Sequence, residues 1–280
     1  MKRRKFIRNT ALTLGGIGLG TGLYAWQIEP HWAEFVEMDM PIKHLPKNLE
    51  GKTLMQISDL HVGEGVSMEY LKKQLLKAQQ LKPDFVVYTG DFTTFESRKQ
   101  YDQLSKVFKY RVKGQLGTFG VLGNHDYGPR WRDPSVAEGI QEVCDSADII
   151  LLRNQAYLAE GLIISGLDDY WGTNFYPQDV TSTFDLDQAN LVLCHNPDVM
   201  DLDIWNNYDS WVLSGHTHGG QVKPPFLKPP ILPVRNKTYT AGKFAFEDGR
   251  TLYINRALGH LHQVRFGVRP EITVFTLTRA

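Results

Sequence analysis

Leu54-Met55-Gln56-Ile57-Ser58-Asp59-Leu60-His61, followed by Phe85-Val86-Val87-Tyr88-Thr89-Gly90-Asp91, decides the fold of this chain. Each stretch is a short apolar run that stops at a carboxylate. Between them Ser67 is placed to cap a helix on which Tyr70, Leu71, Leu75 and Ala78 recur at helical spacing, and Lys82-Pro83-Asp84 ends the pattern. Strand, helix and strand in this order make a βαβ unit with parallel neighbours. Asp59 and Asp91 therefore leave one sheet at the same carboxyl edge, where α/β sheets gather their ligands. A third run, Phe119 to Leu122, stops in the same manner at Gly123-Asn124-His125-Asp126.

Further along, Leu162 to Leu167, Asn190 to Cys194, Trp211 to Ser214, Thr251 to Asn255 and Ile272 to Leu277 read as strands less regularly separated by helices. The pattern predicts two sheets packed face to face with helices outside them, a four-layer α/β/β/α sandwich, and leaves the strand order open. With 42% hydrophobic residues the chain has material for a sizeable core, read as one domain over residues 50–280 behind a leader of residues 1–30. Pro224 to Pro233 holds five prolines and is expected to be an extended loop. Lys and Arg, 31 together, balance 31 Asp and Glu, so charge gives no case for a basic nucleic-acid surface.

The chemistry lies in five blocks: Asp59-Leu60-His61, Gly90-Asp91, Gly123-Asn124-His125-Asp126, His195 and Gly215-His216-Thr217-His218. Together they supply ligands for two metal ions. Asp59 and His61, two residues apart past a strand end, can turn toward one ion, and the two oxygens of Asp91 can bridge a pair. Asn124 is informative because a neutral amide is a useful ligand mainly where carboxylates already supply charge. His125 would project into the same pocket, with Asp126 placed to orient it. His216 and His218 form an imidazole pair on a glycine-rich loop. The remaining histidines, 31, 44, 260 and 262, read as surface or packing residues. Arg256, at a late strand end, reads as solvated, with phosphate binding as the sharper alternative. Cys144 and Cys194 are expected to be buried thiols, Cys194 pointing away from His195 by strand alternation.

This order of blocks resembles the calcineurin-like metallophosphoesterase superfamily, over nearly everything after the leader. Leu193-Cys194-His195-Asn196-Pro197-Asp198, Gly215 to Gln221 and Arg269-Pro270-Glu271 are similar to its exported bacterial phosphodiesterase branch. The resemblance implies that Asp59, His61, Asp91 and His218 hold one metal, and that Asp91 as bridge, Asn124, His195 and His216 hold the other. A hydroxide shared by the ions would attack phosphorus while His125, oriented by Asp126, serves the leaving oxygen. Mixed carboxylate, amide and imidazole ligands suit manganese, iron or zinc, with manganese favoured. The superfamily's protein phosphatases continue Gly-Asp into Asp-Arg-Gly, whereas this chain runs Gly90-Asp91-Phe92-Thr93-Thr94-Phe95. Without that arginine, and with Phe92 and Phe95 as an apolar rim, diesters are favoured over phosphoproteins.

Lys2-Arg3-Arg4-Lys5-Phe6-Ile7-Arg8, followed by an uncharged stretch from Thr10 to Ile28, resembles a twin-arginine export signal. Export across the inner membrane to the periplasmic side is expected, using the twin-arginine machinery, with the segment either cleaved or kept as a membrane anchor of spanning length. The substrate expected is a small-molecule or lipid-linked phosphodiester. The rivals are a UDP-2,3-diacylglucosamine-type pyrophosphatase, for which Phe226, Leu227, Ile231 and Leu232 would form a greasy lip, and a non-catalytic metal-binding envelope protein.

Overall fold

A computed structural model describes residues 3–63 and 65–280. After helix α1 (Arg3–Leu23), the strands β1 (Glu34–Ile42), β2 (Thr53–Ile57), β3 (Phe85–Thr89), β4 (Gly117–Val121) and β5 (Ile150–Leu151) lie in one sheet. The next six, β6 (Gln155–Ala159), β7 (Leu162–Gly166), β8 (Ala189–Leu193), β9 (Trp211–Ser214), β10 (Gly242–Ala245) and β11 (Thr251–Ile254), form the second. The last strand, β12 (Glu271–Arg279), returns to the first. The sheet orders are β1-β12-β2-β3-β4-β5 and β10-β11-β9-β8-β7-β6. Both sheets are mixed: β2 to β5 run parallel with β12 antiparallel to β2, and β7, β8, β9 and β11 run parallel between antiparallel edges.

Strand alternation explains the layers. In β3, Phe85 and Val87 point between the sheets, where they meet Leu54, Phe119, Leu162, Leu191, Leu213 and Phe275. Val86 and Tyr88 point outward onto α2 (Met68–Gln79), α3 (Lys99–Phe108) and α4 (Pro134–Ser146), through Leu71, Leu75, Leu104, Phe108 and Ile140. Both faces are buried, which is why the parallel strands read as unbroken apolar runs. Truncating Phe119 to Ala would cost about 3–5 kcal/mol. The outer face of the second sheet is covered differently. Its Val192, Val212 and Ile254 meet a four-residue helix, α5 (Gln178–Thr181), and irregular segments carrying Val199, Met200 and Trp205. That α layer is thin.

α2 follows its sequence signals. The Ser67 hydroxyl accepts the Tyr70 N–H at 3.3 Å, and Tyr70, Leu71, Leu75 and Ala78 form the buried stripe. β1 departs from expectation and moves the start of the domain from residue 50 to before residue 34. It pairs with β12 along its full length, Glu34 opposite Glu271 through Ile42 opposite Arg279. Its exposed Glu37 and Asp39 and its proline at position 41 are features that edge strands tolerate.

No residue of α1 is buried. Beyond it, a wide turn over Tyr24–Ile28 docks on the domain: Arg265 N–H donates to the Ala25 carbonyl at 2.9 Å, and buried Glu29 accepts the Val268 N–H at 2.6 Å. Among the described residues no helix is long and apolar enough to cross a membrane. Five glycines between positions 15 and 22 dilute the apolar character of α1.

Candidate metal centre

The parallel register of β2, β3 and β4 places Asp59, Asp91 and Asn124 at neighbouring carboxyl ends, and that of β8 and β9 brings His195 and the Gly215–His218 loop to the facing edge. Backbone bonds lock the loops together: Asp59 N–H to Gly90 O, His61 N–H to Asp91 O and Gly215 N–H to His195 O, each at 3.0 Å. The His216 N–H crosses between sheets to the Asp59 carboxylate at 3.1 Å.

Two ligand groups result. Asp59, His61 and His218 form one, and Asp91, His195 and His216 the other, with the donor atoms of each within 4.8 Å of one another. His218 Nε2 lies 3.2 Å from Asp59 Oδ1 and 3.0 Å from His61 Nε2. Asp91 Oδ2 lies 3.1 Å from His195 Nε2 and 3.6 Å from His61 Nε2, so this one oxygen faces both groups. Asn124 is buried beside them, and its Oδ1 has no hydrogen-bond partner among the described residues. An orphaned buried carbonyl costs about 1–3 kcal/mol. A cation would satisfy it, so the donors fit a two-metal centre.

Four imidazoles are fixed through their far nitrogens, leaving the near one free to coordinate. His61 Nδ1 meets Thr94 Oγ1 at 2.9 Å, His195 Nδ1 the Thr89 carbonyl at 2.7 Å, His218 Nδ1 Gln221 Oε1 at 3.0 Å, and His216 Nε2 the Pro233 carbonyl at 2.6 Å. The proline-rich loop, as expected an irregular segment, thus serves the centre through Pro233. Burial pushes the pKa of His61 well below its usual value and that of His216 down to about 3. Burial opposes charge on His195 as well, but Asp91 and Asp59 outweigh it and raise His195 well above. Asp59 is itself pushed up by burial, and His195 and His218 reverse this and hold it at about 2. The carboxylates of Asp59 and Asp91, facing these imidazole nitrogens in a buried site, mark the place a cation prefers.

Strain accompanies this geometry. Asp59, His61, Asp91, His216 and His218 all have positive φ, from 47° to 70°. Such residues persist only where surroundings hold them, and they gather at functional sites. Two glycines are demanded by close approach: a Cβ on Gly123 would lie 2.3 Å from Asp91 Oδ1, and one on Gly215 would lie 2.2 Å from Asp59 Oδ2.

The other expected residues divide. His125 is half-buried and edge-on to His61, ring centroids 5.2 Å apart, and its N–H donates to Asp91 Oδ1 at 2.9 Å. Asp126 does not orient it. The Asp126 carboxylate accepts the N–H groups of Gly123, Phe92 and Thr93 at 3.0–3.2 Å and so staples two ligand loops together; burial, then Asp91, pushes its pKa up to about 8. Phe92 is no rim residue, being buried against Tyr88 and Phe108, while Phe95 packs on Tyr101. Arg256 is neither solvated nor free, since it pairs with Glu271 and with Glu34 at 3.0 Å, joining β11 to the first sheet. Both cysteines are buried free thiols, and Cys194 faces the outer core, away from His195. Thr94, Gln221, Trp131 and Trp171 were not legible. The tryptophans come from loops of different sheets and stack at 5.0 Å, Trp171 lying edge-to-face with His216 at 4.6 Å.

Residues 52–220 match the model of the calcineurin-like phosphoesterase family, and the chain belongs to that family. It is a metallophosphoesterase with hydrolase chemistry and a candidate dinuclear centre. It is 32% identical to the uncharacterized metallophosphoesterase YkuE of Bacillus subtilis, over 99% of this chain and 98% of that protein. It is 30% identical to phosphodiesterase YaeI of Escherichia coli, over 99% of each. UDP-2,3-diacylglucosamine pyrophosphatase LpxG of Chlamydia muridarum is 27% identical over 91% of this chain and 92% of that protein.

Proposed function

We propose that the chain is an exported phosphodiesterase that hydrolyses its substrate at this two-metal centre, with His125 as the acid for the leaving oxygen. The observation that carries the reading is His125 itself. Its ring makes no hydrogen bond among the described residues, while its backbone is anchored to Asp91 and its edge lies against His61. A centre kept only for structure has no use for an unengaged imidazole there, which argues against the non-catalytic reading. Asp59, His61, Asp91 and His218 would hold one cation, and Asp91, Asn124, His195 and His216 the other. Such cations would supply Lewis acidity to the phosphoryl oxygens and depress the pKa of water. Manganese suits the donors, with iron and zinc as rivals.

A second reading, cleavage of a lipid-linked nucleotide pyrophosphate as in the LpxG name, is favoured by the loop that touches His216. Phe226, Leu227 and Ile231 in that loop are exposed, Phe226 completely. Export by the twin-arginine route rests on Arg3-Arg4 and the uncharged stretch behind them.

The manganese-loaded chain should be assayed against a bis-aryl phosphodiester, an aryl monoester and a UDP-linked lipid, beside His125→Ala and Asn124→Ala. His125→Ala should lower diester turnover about 10²-fold, more for an alkyl than for a nitrophenyl leaving group. Monoester preference would overturn the diester reading. Full activity in both variants would overturn the site.

A further inference from the structure

Each of the two sheets has two edges, and three of these four edges are blunted. β1 carries Glu37, Asp39 and Pro41, β5 is two residues long, and β10 carries Lys243. Charge, proline and shortness are devices by which a sheet edge avoids pairing with another chain. The fourth edge, β6, has none of them. It reads Gln155-Ala156-Tyr157-Leu158-Ala159, without charge or proline, and its first four residues are exposed, Leu158 to 62% and Tyr157 to 44%. We propose that β6 is a self-association surface whose partner is a second copy of this chain, paired antiparallel about a twofold axis at Tyr157.

The hairpin fixes which backbone groups are free. β6 and β7 pair from Ala159 opposite Leu162 to Gln155 opposite Gly166, around Glu160 and Gly161, whose φ values of 55° and 91° suit a type I′ turn. The residues flanking such a turn exchange both their hydrogen bonds, and bonded and non-bonded pairs alternate from there. Gln155, Tyr157 and Ala159 are therefore engaged by β7, while Ala156 and Leu158 turn their N–H and C=O groups to the open edge. With Tyr157 opposite its own copy, Ala156 falls opposite Leu158 of the second copy. The two residues with free groups thus meet each other, and each such pair exchanges both N–H···O bonds.

Side chains agree with this register. Tyr157 lies on the inner face, its ring 5.2 Å from that of Phe119, where it half-covers the open end of the core between the sheets. Its copy completes that cover as an aromatic cross-strand pair. On the outer face bulky Leu158 meets small Ala156. Charge agrees as well. Arg153 precedes the strand and Glu160 follows it, so antiparallel pairing sets the basic end of one copy beside the acidic end of the other, with Glu160 opposite Asn154. Parallel pairing would superpose like charges. An isologous contact of this kind closes on two copies and joins their second sheets into one.

Sedimentation of the full chain over about 1–300 µM tests the proposal, because five residues a side make a small interface of the weak class. The mass should rise from one copy to two across that range. Ala156→Pro removes a donor that faces the open edge and takes no bond from β7, and Leu158→Lys adds the charge by which edges are blunted. Each should weaken association about tenfold or more, as the loss of a symmetric pair of hydrogen bonds implies. Leu158→Lys, at an exposed side chain, should do so without moving the unfolding temperature. Tyr157→Cys should cross-link under diamide, since residues facing each other across this axis have Cα atoms about 4.5 Å apart, within disulfide range. Gln155→Cys, with about 13 Å between copies, should not. Cys144 and Cys194 are buried and stay silent. A monomer at every concentration, association unaffected by Leu158→Lys, or Gln155→Cys cross-linking as readily as Tyr157→Cys would overturn the proposal. A chain that stays monomeric yet captures an extended Gln-Ala-Tyr-Leu-Ala peptide would also overturn it, and would assign the edge to a strand of another protein.

Discussion

Replacing Gly123 by alanine adds one methyl group to the loop that carries Asn124, and the structure fixes where that methyl must go. Its Cβ would stand 2.3 Å from Asp91 Oδ1 and 2.5 Å from the Asp91 nitrogen, against the 3.4 Å at which ordinary contact begins. The difference, 3.4 less 2.3, is about 1.1 Å, and either the loop or the Asp91 carboxylate must move by that much. Asp91 cannot move privately, because its Oδ1 also accepts the His125 N–H and its Oδ2 faces His195 and His61. A misplacement of about 1 Å costs on the order of 10² in rate, and forcing one extra carbon into close packing costs about 1–3 kcal/mol of stability. Gly123→Ala should therefore stay folded while diester turnover falls about 10²-fold and metal affinity falls with it. Turnover, metal titration and thermal unfolding of one preparation separate these effects. Wild-type turnover in a folded Gly123→Ala protein would refute the claim that close approach to Asp91 sets the centre.

Thr94→Val removes the partner of His61 Nδ1 without changing side-chain shape, and metal affinity should drop about 10- to 100-fold in a competitive chelator titration; unchanged affinity would mean the bond does not orient the ligand. His260 is held neutral by burial, its pKa pushed down to about 4 from 6.5. The unfolded chain takes up the proton first, so His260's contribution to stability is whole above pH 6.5 and is lost as pH falls toward 4, by about 3 kcal/mol at most. His260→Gln should flatten the decline of the urea midpoint over that window, and parallel declines would count against it. Arg3→Lys/Arg4→Lys should leave the bulk of the protein inside the inner membrane in a fractionation experiment, whereas normal export would remove the twin-arginine assignment.

How much could be read in advance follows from which residues carry local signals. The apolar runs before Asp59, Asp91 and Asn124 announce buried parallel strands because both faces of those strands are covered, and β2, β3 and β4 lie where those runs do. β1 was hidden because an edge strand needs no apolar period, and its acidic residues sit at the rim. The ligand blocks were legible because each gathers donor atoms within a few residues. Asp126 misled for the opposite reason. Its neighbour in sequence is His125, but its partners are N–H groups from the β3 loop, and sequence adjacency says nothing of which way a side chain turns. The Trp131 and Trp171 pair was invisible because its members meet only when the two sheets pack.

The central claim is that two cations at this centre run phosphodiester hydrolysis. Its most direct test is to strip the chain of metal, add manganese in measured equivalents and follow bis-aryl phosphodiester hydrolysis. The account predicts a rate that climbs until two equivalents are bound, and an Asn124→Ala variant that retains one ion tightly and little activity. A rate already maximal at one equivalent, or no turnover at two, would contradict it.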